Sequence, residues 1–433
     1  MKQSSNYRVT VAALVVVLGL IATLALTFTV LNPSPTQVSA PHGLSSLPEF
    51  AGTDQVMPSS FYTPPKDLPG DLAPGSVIKS EPIPGAPTGI QAFRILYVSQ
   101  TNSGVNNVVS AMYAVRTTPA AAPNGRPLVS LAHGTTGNSP GCGVSMAPFQ
   151  RGSTGFGTWD QLMSGLIGAG YAVVATDYAN LEVAGTPDYI TMNGEAHDVL
   201  NAARAAYQFD PGSLDKSQLA LMGHSQGGHA ALSSAYLAPE YAPDLSIKGT
   251  IAVAPALFPP APLLKTFIQS GPDTQTDGYF LGFVSYVVNS WAANYPGQVK
   301  LSDVFTPKGV AAAQVGEQKC LKGTAQAFAG RKGDFVSAEI PNSLLGVAQQ
   351  NFPIYERYTQ PLLIQQGLED TTVVPAVNIA AARTFCLQGS NVKLQIFPSD
   401  VHSSVLYTGQ PDALAWLSDR FAGLPAKSNC GGL

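Results

Sequence analysis

The 433-residue chain is 45% apolar, with 18 Phe and 16 Tyr, which supplies a sizeable core and argues against global disorder. Only 12% of its residues are charged, against about 25% in an average domain. The net charge is −4 and no basic stripe is present, so a nucleic-acid partner is not expected. With 42 Gly and 35 Pro, the composition suits a loop-rich exported enzyme, and the length allows one large domain with an insertion or two domains.

Lys2 and Arg8 precede an uncharged run from Val9 to Leu31. As a helix it would span about 34 Å, enough for a bilayer core. It is longer than the usual core of a signal peptide, yet Val38-Ser39-Ala40 offers small residues suited to cleavage. Residues 1–40 are therefore a signal peptide or an uncleaved anchor. With positive charge only before the run, either reading sends the rest of the chain outward. The expectation is a protein that is secreted, or held on the outer face of the cell membrane by residues 9–31. Residues 41–71 are rich in Pro and Ser without periodicity and read as a linker.

From Gly75 to Thr118 the pattern is strand-like, with a hairpin signal where Ala92–Val98 and Val108–Val115 flank the Asn102–Asn107 turn. Apolar runs at Pro127–Ala132, Tyr171–Thr176, Leu219–Met222 and Ile247–Ala254 then alternate with helical patterns at Thr158–Ala169 and Glu195–Tyr207. Continuous apolar strands between amphipathic helices predict a mostly parallel sheet covered on both faces. This first part of the core covers residues 72–256. Residues 257–352 lose the strand rhythm and read as a helical insertion, in which Gly278–Trp291 forms an aromatic-rich helix. The sheet resumes in residues 353–433, with strands at Pro361–Gly367 and Val392–Phe397 and a helix over Ala413–Phe421.

The chemistry centres on Gly223-His224-Ser225-Gln226-Gly227, which follows an apolar strand and opens a small-residue helix. A tight strand-to-helix turn lifts a serine hydroxyl clear of its backbone, and flanking glycines relieve the crowding. Ser225 is the predicted nucleophile. In the α/β-hydrolase order, acid and histidine follow the serine. Of six histidines, His42 falls in the linker, His133 and His197 precede the serine, and His224 and His229 are too near it in sequence. His402 remains as the general base. Asp370, in Gly367-Leu368-Glu369-Asp370, is the expected acid, with Glu369 as the alternative, and Asp400 is read as a turn aspartate. The backbone N–H of Gln226 is one expected oxyanion donor. The second is assigned to Thr135 in His133-Gly134-Thr135-Thr136-Gly137, with Gly134 as the alternative.

These motifs, with Cys142 close behind the His-Gly-Thr-Thr-Gly turn and with Asp400-Val401-His402, resemble the secretory lipase family, the lipase A type of α/β-hydrolase known from yeast and actinobacteria. The resemblance covers most of the chain after about residue 60. It implies an α/β-hydrolase fold with an inserted helical cap, a triad of Ser225, Asp370 and His402, and action on acylglycerols or other carboxylic esters without a metal or cofactor. The four cysteines allow three disulfide connectivities; the resemblance favours Cys142–Cys320 and Cys386–Cys430. Within the insertion, Phe280, Phe283, Tyr286 and Trp291 are expected to line an acyl pocket or to form the insertion's own core. Lipid or ester is the expected substrate, with contact to a lipid interface. An acyltransferase using the same acyl-enzyme, a peptidase on the same fold and a non-catalytic cell-surface binding protein are the alternatives.

Overall fold

A computed structural model describes residues 60–67, 71–120, 122–146, 157–257, 275–276, 278–337, 341–352 and 357–433. The N-terminal apolar run, His42 and most of the expected linker lie outside the described residues. No helix among the described residues is long and apolar enough to cross a membrane.

Nine strands form one sheet: β1 Val77–Pro82, β2 Ile90–Gln100, β3 Asn106–Arg116, β4 Arg126–Ala132, β5 Ala172–Thr176, β6 Leu214–His224, β7 Ile247–Val253, β8 Leu362–Gly367 and β9 Val392–Phe397. Their order is β1-β2-β3-β5-β4-β6-β7-β8-β9. The first three strands run as antiparallel neighbours and β3 meets β5 antiparallel, whereas every pairing from β5 to β9 is parallel. The alternating strands and helices predicted the mostly parallel sheet, and the architecture is the α/β-hydrolase fold that the family resemblance implied.

Side chains of the parallel strands alternate between two cores, as a pleated sheet requires. Leu221, Ala252 and Ile364 face one side. Ala220, Met222, Ile251, Val253 and Leu363 face the other. Helices α1 (Gly157–Gly168), α2 (Met192–Phe209) and α3 (Gln226–Tyr241) follow β4, β5 and β6. Among the described residues, the longer helices between β7 and β8 are α4 Tyr279–Asn294, α5 Pro307–Gly316, α6 Leu321–Ala327 and α7 Asn342–Gln350, with shorter helical turns beside them. Then α8 (Pro375–Leu387) follows β8, and α9 (Gln410–Phe421) closes the fold. The first core carries α2, α3, α8 and the inserted helices, and the second carries α1 and α9.

The described cysteines all pair, as Cys142–Cys320 and Cys386–Cys430. The first ties the loop after β4 to the start of α6, where Leu321 N–H also donates to the Thr136 carbonyl at 2.7 Å. Part of the stretch read as a linker is packed instead. Phe61 and Tyr62 are buried against Leu96 and Val183, and the Tyr62 hydroxyl bonds Ser145 Oγ at 2.8 Å. Two aromatic rings outweigh the Pro- and Ser-rich context, because each buries a large apolar area.

Candidate active site

Strand β6 ends at His224 and α3 begins at Gln226, so Ser225 occupies the turn between them. Its backbone has φ +58° and ψ −120°, a strained conformation for a residue other than glycine. The strain is held by neighbours. Ser225 N–H donates to Val253 O at 3.0 Å, and Ser225 O accepts from Ala256 N–H at 2.9 Å and His229 N–H at 3.1 Å. The glycines of the motif are needed for close approach: a Cβ on Gly223 would stand 2.0 Å from Gly227 O, and one on Gly227 would stand 1.9 Å from Ala132 O.

Three residues distant in sequence meet here. His402 Nε2 lies 2.9 Å from Ser225 Oγ, and His402 Nδ1 lies 2.7 Å from Asp370 Oδ2. Both His402 and Asp370 come from loops that follow β9 and β8, and Glu369 N–H joins those loops by donating to Asp400 O. Asp370 Oδ1 accepts from the N–H groups of Thr372 and Val373 at 2.9 and 2.8 Å. Its Oδ2 also accepts from Gln366 Nε2 at 3.1 Å, and the Gln366 carboxamide is held in turn by Asn378. Burial alone would raise the Asp370 carboxyl, but the bond and charge of His402, then the Val373 amide and Gln366, outweigh it and hold the group below its ordinary value. Glu369 is exposed. Asp400 accepts from Ser404 and Thr408 and shapes the loop that carries His402.

The histidines set aside as bases have structural work. His224 Nε2–H donates to the His402 carbonyl at 2.9 Å. Burial, and then the charge of His402, push the His224 imidazole down to about 3, so it stays neutral. His133 Nδ1–H donates to Gly134 O at 2.6 Å. That carbonyl belongs to the same peptide group as Thr135 N–H, so His133 fixes the plane of one expected oxyanion donor. The peptide carrying Gln226 N–H is fixed likewise through Ser225 O. Gln226 stands in the first turn of α3, where backbone N–H groups lack intrahelical acceptors.

Ser225 and Thr135 open into a common cleft. Its wall is mainly apolar: Leu257, Phe280, Phe283, Val284, Val287, Val373, Val374 and Val377 contribute. Phe280 and Phe283 are thus where a pocket role requires. Tyr286 and Trp291 are not part of this wall, which corrects their inclusion with the other two aromatics. Tyr286 is fully buried with its hydroxyl 2.6 Å from Thr324 Oγ1, and Trp291 donates from Nε1 to the Ile190 carbonyl at 2.9 Å. Their polar ends need partners inside protein; Tyr286 finds one within the insertion, and Trp291 finds one where the insertion packs on the loop before α2. Among the described residues no three His, Cys, Asp or Glu side chains form a metal-ligand group.

The sequence reading missed a second carboxylate–imidazole pair. Glu195 on α2 and His229 on α3 are both fully buried, with His229 Nδ1 2.7 Å from Glu195 Oε2. The signal was available, since a His one helical turn after the nucleophile falls on the same side of α3. Nothing in the sequence placed Glu195 opposite it.

Comparison with known proteins places the chain in a family. Residues 153–429 match the family described as "Secretory lipase". The chain is 28% identical to Lipase 10 of Candida albicans, over 86% of this chain and 82% of that one. It is 27% identical to "Probable inactive lipase MT1628" of Mycobacterium tuberculosis, over 86% and 84%. Candida antarctica lipase A in its closed state superposes with a TM-score of 0.71 at 21% identity, covering 86% of this chain and 88% of that chain. The rice cell wall degrading esterase LipA from Xanthomonas oryzae gives 0.64 at 17%, covering 81% and 98%. The two structural likenesses speak for the fold. With nearly the whole span from α1 to the C-terminal disulfide matched by one family, the chain belongs to the secretory lipase family.

Proposed function

We propose that this chain is a serine carboxylic-ester hydrolase that cleaves acylglycerols or related lipid esters through an acyl-enzyme. The observation that carries this reading is the continuous relay from Ser225 Oγ through His402 to Asp370, placed at an apolar cleft. With Nδ1–H donated to Asp370, His402 presents an unprotonated Nε2 to the serine hydroxyl, which is what a general base needs.

Ser225 Oγ attacks the ester carbonyl carbon while its proton passes to His402 Nε2. The carbonyl oxygen becomes an oxyanion, held by the N–H groups of Gln226 and Thr135. As the tetrahedral intermediate collapses, the C–O bond to the alcohol breaks and His402 returns the proton to the leaving alkoxide. Water then repeats the sequence on the acyl-enzyme and releases the acid. Asp370 keeps the imidazole in the required tautomer and stabilises its charged form. The apolar wall contributed by α4 suits an acyl chain, and residues 257–352 act as a cap over the site. The N-terminal run exports the chain. A relative named as a probable inactive lipase makes activity a question for this chain too, and the intact relay is the argument that it turns over.

Hydrolysis of p-nitrophenyl esters from acetate to palmitate, by the chain and by its Ser225→Ala variant, tests the proposal. The expected result is turnover that falls by at least about 10⁴-fold in the variant. Esterase activity retained within a few-fold would overturn it. Transfer of the acyl group to an added alcohol in preference to water would reassign the same machinery to an acyltransferase.

A further inference from the structure

The Glu195 carboxylate has three hydrogen-bond partners, all close to Ser225 in the fold or joined to its surroundings. Its Oε1 accepts from Gln226 Nε2 at 2.8 Å and from Ile190 N–H at 2.9 Å. Its Oε2 meets His229 Nδ1 at 2.7 Å. Gln226 and His229 form the first turn of α3, next to Ser225. The other end of the Gln226 carboxamide, Oε1, is buried and has no hydrogen-bond partner among the described residues, so the bond to Glu195 decides how this side chain sits.

The Ile190 bond leads to the other donor. Ile190 has φ +51°, a costly conformation for a β-branched residue. Such a conformation persists only where both ends of the residue are pinned. Glu195 pins its N–H and Trp291 pins its carbonyl. The preceding residue, Tyr189, reaches Thr135 Oγ1 through its hydroxyl at 2.7 Å. One carboxylate therefore braces the Gln226 side directly and the Thr135 side through a single strained corner.

We infer that Glu195 is a positioning residue for the oxyanion hole, setting both donor peptides from beneath without touching substrate. The inference rests on the reading of Ser225 as nucleophile and of Gln226 and Thr135 as donors. Geometry is what the role requires. Because the Asn351 carbonyl at 2.7 Å can only accept, His229 Nε2 carries a proton. A glutamine at 195 can then offer its oxygen to Gln226 and Ile190 and its amide N–H to His229 Nδ1. A methionine offers nothing.

The test compares Glu195→Met and Glu195→Gln with the unmodified chain. Active sites are counted by covalent labelling with a p-nitrophenyl phosphonate, and turnover is measured on an ester and on its thionoester. Sulfur accepts hydrogen bonds poorly, so the ester-to-thionoester ratio reports the oxyanion hole. In Glu195→Met, kcat per labelled site should fall about 10- to 100-fold with KM within about threefold, as for a misaligned oxyanion donor. The ester-to-thionoester ratio should fall with it, and Glu195→Gln should recover most of the loss. Unchanged kcat per labelled site in Glu195→Met, or a fall without a change in the ratio, would overturn the inference and leave Glu195 a structural residue. If Glu195→Met does not fold, Gln226→Met removes the receiving end and must show the same loss of ratio in smaller measure; an unchanged ratio there counts equally against it. Failure of the unmodified chain to be labelled at Ser225 would instead remove the underlying reading.

Discussion

Two carboxylate–imidazole pairs flank Ser225, and they differ in one atom's partner. Asp370–His402 and Glu195–His229 have the same Nδ1–oxygen separation of 2.7 Å. His402 turns its Nε2 toward the Ser225 hydroxyl, which can donate. His229 turns its Nε2 toward the Asn351 carbonyl, which can only accept. The first imidazole can take a proton at Nε2, and the second already needs one there. The settings differ accordingly. His402 keeps 17% of its side chain exposed on a loop at the cleft, while His229 is completely buried between helices. Identical pairs thus serve chemistry or architecture according to what lies beyond the second nitrogen.

The largest expected effect breaks this contrast most sharply. Asp370→Asn should lower kcat by about 10³- to 10⁴-fold, because the asparagine amide favours the wrong His402 tautomer. His229→Gln should lower the melting temperature and leave kcat within about tenfold. Steady-state kinetics beside thermal unfolding separates the two, and the reverse pattern would exchange their roles. Next in size is the cleft. Val287→Phe places extra volume in the wall beside Phe283, and should lower kcat/KM on palmitate about tenfold relative to acetate. An unchanged ratio would move the acyl chain elsewhere.

The smallest effect concerns the polar floor near Glu195. Asp188 is buried, and burial, reinforced by the charge of Glu195, pushes its carboxyl up to about 7 against the pull of the Asn294 side chain and the Asn102 backbone. The folded chain therefore holds a proton that the unfolded chain releases above about 4. Stability from this group is lost as pH rises from about 4 to about 7 and is level beyond. Asp188→Asn should raise the melting temperature by several degrees at pH 8 and little at pH 4. An equal change at both values would exclude the titration as its source.

What the sequence revealed and what it hid follow from the same physics. Ser225, His402 and Asp370 are legible because the turn needs glycines at fixed spacing and because only one histidine follows the last strand. The sheet is legible because its buried strands are continuous apolar runs. Glu195 was hidden because a glutamate in an amphipathic helix reads as a solvated residue, and only tertiary packing places it against His229. Tyr286 and Trp291 were hidden for a related reason: aromatic content marks a buried face but does not say whether that face borders a cleft or another helix. Phe61 and Tyr62 reversed a compositional reading because two anchored rings suffice to dock an otherwise unpatterned stretch.

The central claim is that Ser225 carries the acyl group. Mixing the chain with p-nitrophenyl butyrate, quenching in acid within the first turnover and mapping the peptides by mass spectrometry tests it directly. The account predicts a butyryl group on the peptide containing Ser225, formed in step with the first equivalent of p-nitrophenol. Release of p-nitrophenol with Ser225 unmodified throughout would contradict it.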